Sequence, residues 1–367
     1  LNLIIFDYLL IIKKSNLMKQ ILLVIIFLGL KISAQNTLEI PFEYKNNLIY
    51  IDLDVNDKKE KFIFDTGAPN VVTENFADAI GLNLKSSRNV NGYLGKTKAY
   101  KASIPRINIE GKILSDVKVR VVDWKFLNDL NIAGIFSFDN ALTLGYKTFS
   151  IDYKNKNIIF GTQTPAHYDY KFKMTNKGNP RIIVDNVKFL IDTGNPLFGE
   201  ANSQAFKISE NCQKISFSSL SFVNRNKDLC NNILKDEDGK NFILNYFKFE
   251  NPRNVIGNLV LQNYKVFIDL DKRELFLEEN RNFSYPVDVY FFQSEKGFFI
   301  AMINEDSQLY KSGIREGFFV EKVNDRNSKS FIDAENLNQY IKDNKIKSIN
   351  FLNIDNKMIE INDVIIK

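Results

Sequence analysis

Residues 61–70 read KFIFDTGAPN, and residues 188–198 read KFLIDTGNPLF. Either stretch alone is ambiguous. Asp, Thr and Gly form turns, and a Gly after a strand commonly supplies a positive φ. Asp65-Thr66-Gly67 therefore reads either as a strand running into a turn or as a loop presenting a carboxylate. The second copy changes the balance. Both copies place Lys-Phe and two more apolar residues before Asp-Thr-Gly, then one variable residue and a Pro. Such self-similarity signals a duplicated structural unit.

The repeat extends downstream. Residues 131–160 read NIAGIFSFDNALTLGYKTFSIDYKNKNIIF, and residues 254–277 read NVIGNLVLQNYKVFIDLDKRELFL. Each has two apolar or small residues before a Gly (Gly134, Gly257), a short apolar stretch, a strand ending in Ile-Asp (Asp152, Asp269), a charged turn and a last apolar strand. Asp65 to Gly134 spans 69 residues and Asp192 to Gly257 spans 65. Two homologous β-rich units are the simplest reading.

With these residues in view, the chain resembles the pepsin and retropepsin superfamily of aspartic proteases over about residues 37–280. In that family each lobe carries Asp-Thr-Gly on a loop, with an apolar-apolar-Gly strand passing under it. Here the pairs are FDTGA with IAG and IDTGN with VIG. The resemblance implies two pepsin-like β-barrel lobes and a catalytic dyad of Asp65 and Asp192. Two carboxyls about 3 Å apart do not both ionise cheaply, so such a pair shares a proton. The ionised member can deprotonate a water while the other hydrogen-bonds a peptide carbonyl, without metal or cofactor. Gly67 and Gly194 leave room for backbone N–H groups beside the carboxyls. Thr66 and Thr193 would, by resemblance, cross-link the two loops. Asn195 departs from the Ser, Thr or Ala usual after the Gly; an amide there can donate to a carboxylate or crowd the site. Family members cover the dyad with a hairpin flap, for which RNVNGYLGKTKAY (88–100) has the turn signals, with Tyr93 as the flap candidate. After the first loop, VVTENFADAIGL reads as a short helix capped by Thr73 and stopped by Gly81.

Beyond residue 282 the pattern changes to strands and two helices, and residues 285–367 resemble a bacterial PDZ domain. The resemblance assigns Gly297, Phe298, Phe299 and Ile300 to the loop that receives a peptide carboxylate. It implies either capture of a C-terminal peptide by strand addition beside the helix in DAENLNQYIKDN or a docked domain that binds no free terminus.

Composition narrows the remaining classes. The chain has 367 residues, 44% apolar, with net charge +5. Residues 1–34 carry +3 of that charge (Lys13, Lys14, Lys19 and Lys31 against Asp7), so the remainder gives no argument for nucleic acid. MKQILLVIIFLGLKISAQ, from Met18, has the three-part secretory pattern with cleavage expected near Ala34, and its apolar run is too short for a comfortable membrane span. Cys212 and Cys230 can pair in an exported protein or stand as two thiols. With one His, His167, they do not make a usual structural zinc site. A Ser–His or Cys–His mechanism would rest wholly on that His, which reads as a linker residue. DLDVND (52–57) and DEDGK (236–240) read as turns between strands.

The expectation is a mainly β chain: leader over 1–34, first lobe over 36–162, second lobe over 163–282 and a small α+β PDZ domain over 283–367. Its expected activity is exported aspartic endopeptidase, periplasmic or secreted, acting on peptide or protein without a cofactor. The alternatives are a non-catalytic peptide-binding protein on the same scaffold and a processor of one dedicated partner.

Overall fold

The structure, a computed structural model, describes residues 37–92, 95–175, 178–202, 212–218, 224–249, 254–280, 288–353 and 355–366. The leader pattern over 1–34 and Tyr93 lie outside the described residues. The chain divides into two units, residues 1–38 and 39–367; apart from Leu38, everything below concerns the second. It is mainly β and includes a β-barrel.

The first strands in chain order are β1 (Leu38–Pro41), β2 (Glu43–Lys45), β3 (Leu48–Val55), β4 (Lys58–Asp65), β5 (Val71–Thr73), β6 (Ser87–Gly92), β7 (Gly95–Ile109), β8 (Lys112–Val122), β9 (Gly134–Ser137), β10 (Thr148–Asp152) and β11 (Asn157–Phe160). Their joints follow turn chemistry. Asn46-Asn47 between β2 and β3 has φ 51° and 57°, and Asn56-Asp57 between β3 and β4 has φ 50° and 64°. Two successive left-handed residues make the hairpin turn whose twist suits antiparallel strands, and Asn and Asp tolerate it. The helix Glu74–Ala79 starts where Thr73 Oγ1 accepts the Phe76 N–H at 3.1 Å, and Gly81 at φ 67° follows its end.

The middle strands are β12 (Tyr170–Met174), β13 (Arg181–Val184), β14 (Val187–Ile191), β15 (Gly199–Asn202), β16 (Cys212–Ser218), β17 (Asn224–Lys235), β18 (Asn241–Phe249), β19 (Val255–Ile256), β20 (Tyr264–Asp269) and β21 (Glu274–Glu279). Their pairing repeats that of the first set. β4 runs parallel to β9, β5 antiparallel to β9 and parallel to β8. Likewise β14 runs parallel to β19, β15 antiparallel to β19 and parallel to β18. The strands ending in Ile-Asp meet directly: β10 pairs antiparallel with β20, from Thr148 opposite Asp269 to Asp152 opposite Lys265.

The C-terminal strands are β22 (Val289–Ser294), β23 (Gly297–Asn304), β24 (Phe319–Val323), β25 (Arg326–Asn327), β26 (Ser348–Leu352) and β27 (Met358–Asn362). The helices Gln308–Lys311 and Ala334–Asp343 are capped by Ser307 and Asp333. Leu337 and Ile341 of the longer helix enter a core with Val289, Phe291, Ile300 and Phe351. β16 adds to the edge of β23, placing Phe217 opposite Met302.

Candidate active site

β4 shows how the sequence delivers an acid to the interior. Its solvent-side half is Lys58-Lys59-Glu60-Lys61; from Phe62 to Asp65 every residue is buried, between β3 and β9. The strand pairs along β9 from Phe62 opposite Gly134 to Asp65 opposite Ser137. The second copy does the same, with Leu190 and Ile191 opposite Val255 and Ile256 of β19. Gly134 and Gly257 are required by space: a Cβ at Gly134 would lie 2.0 Å from the Val71 carbonyl oxygen, and one at Gly257 would lie 2.4 Å from those of Leu197 and Phe198.

The two Asp-Thr-Gly loops meet through their threonines. Thr66 Oγ1 accepts the Thr193 N–H at 3.1 Å and donates to the Ile191 carbonyl at 2.6 Å. Thr193 Oγ1 accepts the Thr66 N–H at 3.1 Å and donates to the Phe64 carbonyl at 2.9 Å. Both threonines are fully buried, so this reciprocal knot satisfies groups that water does not reach.

The carboxyls lie against the opposite glycines. A Cβ at Gly67 would lie 2.5 Å from Asp192 Cγ, and one at Gly194 would lie 2.1 Å from Asp65 Oδ2. No side chain fits at either position while the carboxyls stay in place. Asp65 and Asp192 are 6% and 8% exposed and share a carboxyl–carboxyl hydrogen bond. Asp65 Oδ1 accepts the Gly67 N–H at 2.6 Å and the Ala68 N–H at 3.1 Å; Asp192 Oδ1 accepts the Gly194 N–H at 3.1 Å. Burial holds the Asp65 carboxyl well above the usual range, the Asp192 charge adds to this, and the Gly67 and Ala68 N–H groups oppose it. This is the electrostatic condition under which two carboxyls retain one proton between them.

The Asn195 side chain is tied to residues that follow it in the chain. Its Oδ1 accepts the Leu197 N–H at 2.9 Å, and its Nδ2 donates to Glu200 at 3.3 Å. Ala68, its counterpart, packs with Val90, Trp124, Phe126 and Leu130 against a cluster that includes Tyr50 and Val71. Beside Asp65 there is thus a half-buried apolar surface that includes Val90, from the hairpin in which Tyr93 was expected.

The remaining expected residues fall elsewhere. Cys212 and Cys230 face each other across β16 and β17 and are disulfide-bonded. His167 is exposed between β11 and β12. Asp236, in DEDGK, uses Oδ1 to accept the Asp238 and Lys240 N–H groups and Oδ2 to accept that of Lys171, so it closes a turn. Gly297–Ile300 begins β23. Phe298, Phe299 and Ile300 are buried, and Ile300 uses its N–H on Phe318 and its carbonyl on Gly317. The strand packed against the helix Ala334–Asp343 is β22. The backbone of Ile300 is engaged within its own sheet, away from that helix's partner strand.

Sequence reading missed an asparagine framework. Asn70 Oδ1 accepts the Ser137 N–H at 2.9 Å and the Asn140 Nδ2 at 2.7 Å, bracing the first loop. Asn258, fully buried, donates to the Thr193 carbonyl at 2.6 Å and accepts the Tyr153 hydroxyl at 2.7 Å. Its position directly after Gly257, in an otherwise apolar run, was the available signal.

A family model described as aspartyl protease matches residues 51–140. That stretch contains Asp65-Thr66-Gly67 and Gly134, and the match supports an aspartyl protease family for this chain. No curated protein matches it.

Proposed function

We propose that the protein is an exported aspartic endopeptidase in which Asp65 and Asp192 act together on a peptide bond. One observation carries the proposal: two buried carboxyls, each seated against the other loop's glycine, share a hydrogen bond while burial and mutual charge raise the Asp65 carboxyl. In the one-proton state the ionised carboxyl takes a proton from water as the oxygen attacks the scissile carbonyl. The protonated carboxyl donates to the carbonyl oxygen. Collapse of the tetrahedral diol then breaks the C–N bond, with a proton delivered to the leaving nitrogen and the pair returned to one proton. The half-buried surface of Ala68, Val90, Trp124 and Phe126 supports a substrate with an apolar side chain next to the cleaved bond.

Three further parts belong to the proposal. The matching strand pairings support two duplicated lobes, 36–162 and 163–282. Residues 283–367 form a PDZ-like third domain, supported by the sheet and the capped helix Ala334–Asp343. Export is supported by the Cys212–Cys230 bond, since disulfides persist in oxidising compartments. Among the described residues no helix is long and apolar enough to cross a membrane.

The test is cleavage of a random peptide library across about pH 3 to 8, the range that spans ordinary and raised carboxyl titration. Asp65→Asn and a statine inhibitor are run beside the wild type. Cleavage abolished by both is expected. Cleavage that survives Asp65→Asn refutes the dyad, and absence of any cleavage by folded protein favours the non-catalytic binder.

A further inference from the structure

In an antiparallel strand the N–H and C=O of alternate residues face the same edge. β22 gives one edge to β23. On the other edge Phe291 and Gln293 each meet a side-chain amide. Asn338, from the helix Ala334–Asp343, accepts the Phe291 N–H at 2.9 Å and donates to the Phe291 carbonyl at 2.9 Å. Asn46, from the β2–β3 turn, accepts the Gln293 N–H at 2.7 Å and donates to its carbonyl at 2.6 Å. Each amide pairs with the strand as the peptide group of an added strand would.

The neighbouring residue continues the connection. Asn47 Oδ1 accepts the Tyr290 hydroxyl at 2.9 Å, and Asn47 Nδ2 donates to the Pro196 carbonyl at 2.9 Å. Its backbone carbonyl accepts Asn258 Nδ2 at 2.6 Å, the nitrogen that also donates to the Thr193 carbonyl. Thr193 and Pro196 bracket Gly194-Asn195 in the second Asp-Thr-Gly loop. Asn46 and Asn47 are both buried, and burial pushes the Tyr290 phenol well up, so it stays protonated as a donor.

The two loops differ in their support. The first has Asn70 as a local brace; the equivalent position in the second copy is Leu197, which has no side-chain polar group. The second loop has Asn195 on Leu197 within it and is held from outside by Asn47 on Pro196 and Asn258 on Thr193.

We infer that the Asn46-Asn47 turn occupies the β22 edge from within the chain and couples the C-terminal segment to the Asp192 loop, making Asn47, Tyr290 and Asn258 positioning residues for Asp192. The inference rests on the proposed role of Asp192. It makes the C-terminal segment a brace: a peptide adding to this edge of β22 must first displace two amides.

The test uses the full chain with Tyr290→Phe and, separately, Asn47→Gly, which keeps the left-handed turn and removes only the side chain. Amide hydrogen exchange is compared over residues 187–201 and residues 60–70. Exchange over 187–201 should quicken about fivefold for each net bond lost, with 60–70 unchanged. This readout does not depend on catalysis, so it separates failure of the coupling from failure of the protease assignment. Unchanged exchange over 187–201, or equal acceleration in both loops, overturns the inference. With a cleaved substrate, both variants should lower kcat with KM held; a change in KM alone also overturns it.

Discussion

Thr193→Val is the sharpest test of the loop junction. The substitution is nearly isosteric, so packing changes little. It removes the acceptor for the Thr66 N–H and the donor to the Phe64 carbonyl, both in a region closed to water. A buried polar group left unpaired costs about 1–3 kcal/mol, so two cost about 2–6 kcal/mol. Exchanging a hydroxyl for a methyl in an apolar site returns about 1 kcal/mol. The expected net loss is about 1–5 kcal/mol, centred near 3 kcal/mol. Thr66→Val is its mirror, orphaning the Thr193 N–H and the Ile191 carbonyl. The two should therefore cost the same to within about 1 kcal/mol. Urea denaturation with an unchanged slope measures both. A loss below about 0.5 kcal/mol in either variant, or a large inequality between them, would refute the reciprocal knot as a source of stability.

Asp65 gives a stability prediction with a definite sign. Its folded carboxyl is raised, so between the unfolded and folded values the folded state holds more proton. Wild-type stability should fall as pH rises through that window, and Asp65→Asn should gain on wild type between about pH 4 and pH 7; parallel urea midpoints at the two values would count against it. Gly194→Ala places a Cβ 2.1 Å from Asp65 Oδ2 and should abolish cleavage while costing about 1–3 kcal/mol; retained turnover would show that the carboxyl is free to move aside. Replacing Cys212 and Cys230 by Ser removes a cross-link spanning 18 residues and should lower stability by about 3 kcal/mol, read as a melting shift that reductant reproduces in the wild type. Asn195→Ala should leave the pH profile of cleavage in place, because the amide serves Leu197 and Glu200; a shifted profile would show that it acts on Asp192.

The parts legible in the sequence were those with a short period or a fixed spacing. The doubled KFφφDTGxP, with φ here an apolar residue, identified both loops, because a strand entering the core must be apolar and a loop crowded by a second carboxyl must carry Gly. The helix after the first loop was readable from Thr73 to Gly81 for the same local reasons. What could not be read was pairing at a distance. Nothing in YKNNLIY states that its two asparagines reach Gln293 and Pro196. The peptide-carboxylate assignment of Gly297–Ile300 followed a local pattern; the structure puts that pattern in β23, whereas the strand beside the helix is β22. Asn195 looked like a perturbation of the acids only because its neighbours across the loop, Leu197 and Glu200, were not yet known to receive it.

The pairing of β10 with β20 bears on how the site responds to dilution. Asp65 and Asp192 come from different halves of one polypeptide, and the stretch between β11 and β12 tethers those halves. A tether of this length holds its ends at an effective concentration of about millimolar, far above any cellular or assay concentration of the protein. The two acids therefore stay matched however thinly the protein is spread. Because they belong to one chain and are not supplied by two identical chains meeting by symmetry, the two loops differ in the residue after the Gly, Ala68 on one side and Asn195 on the other.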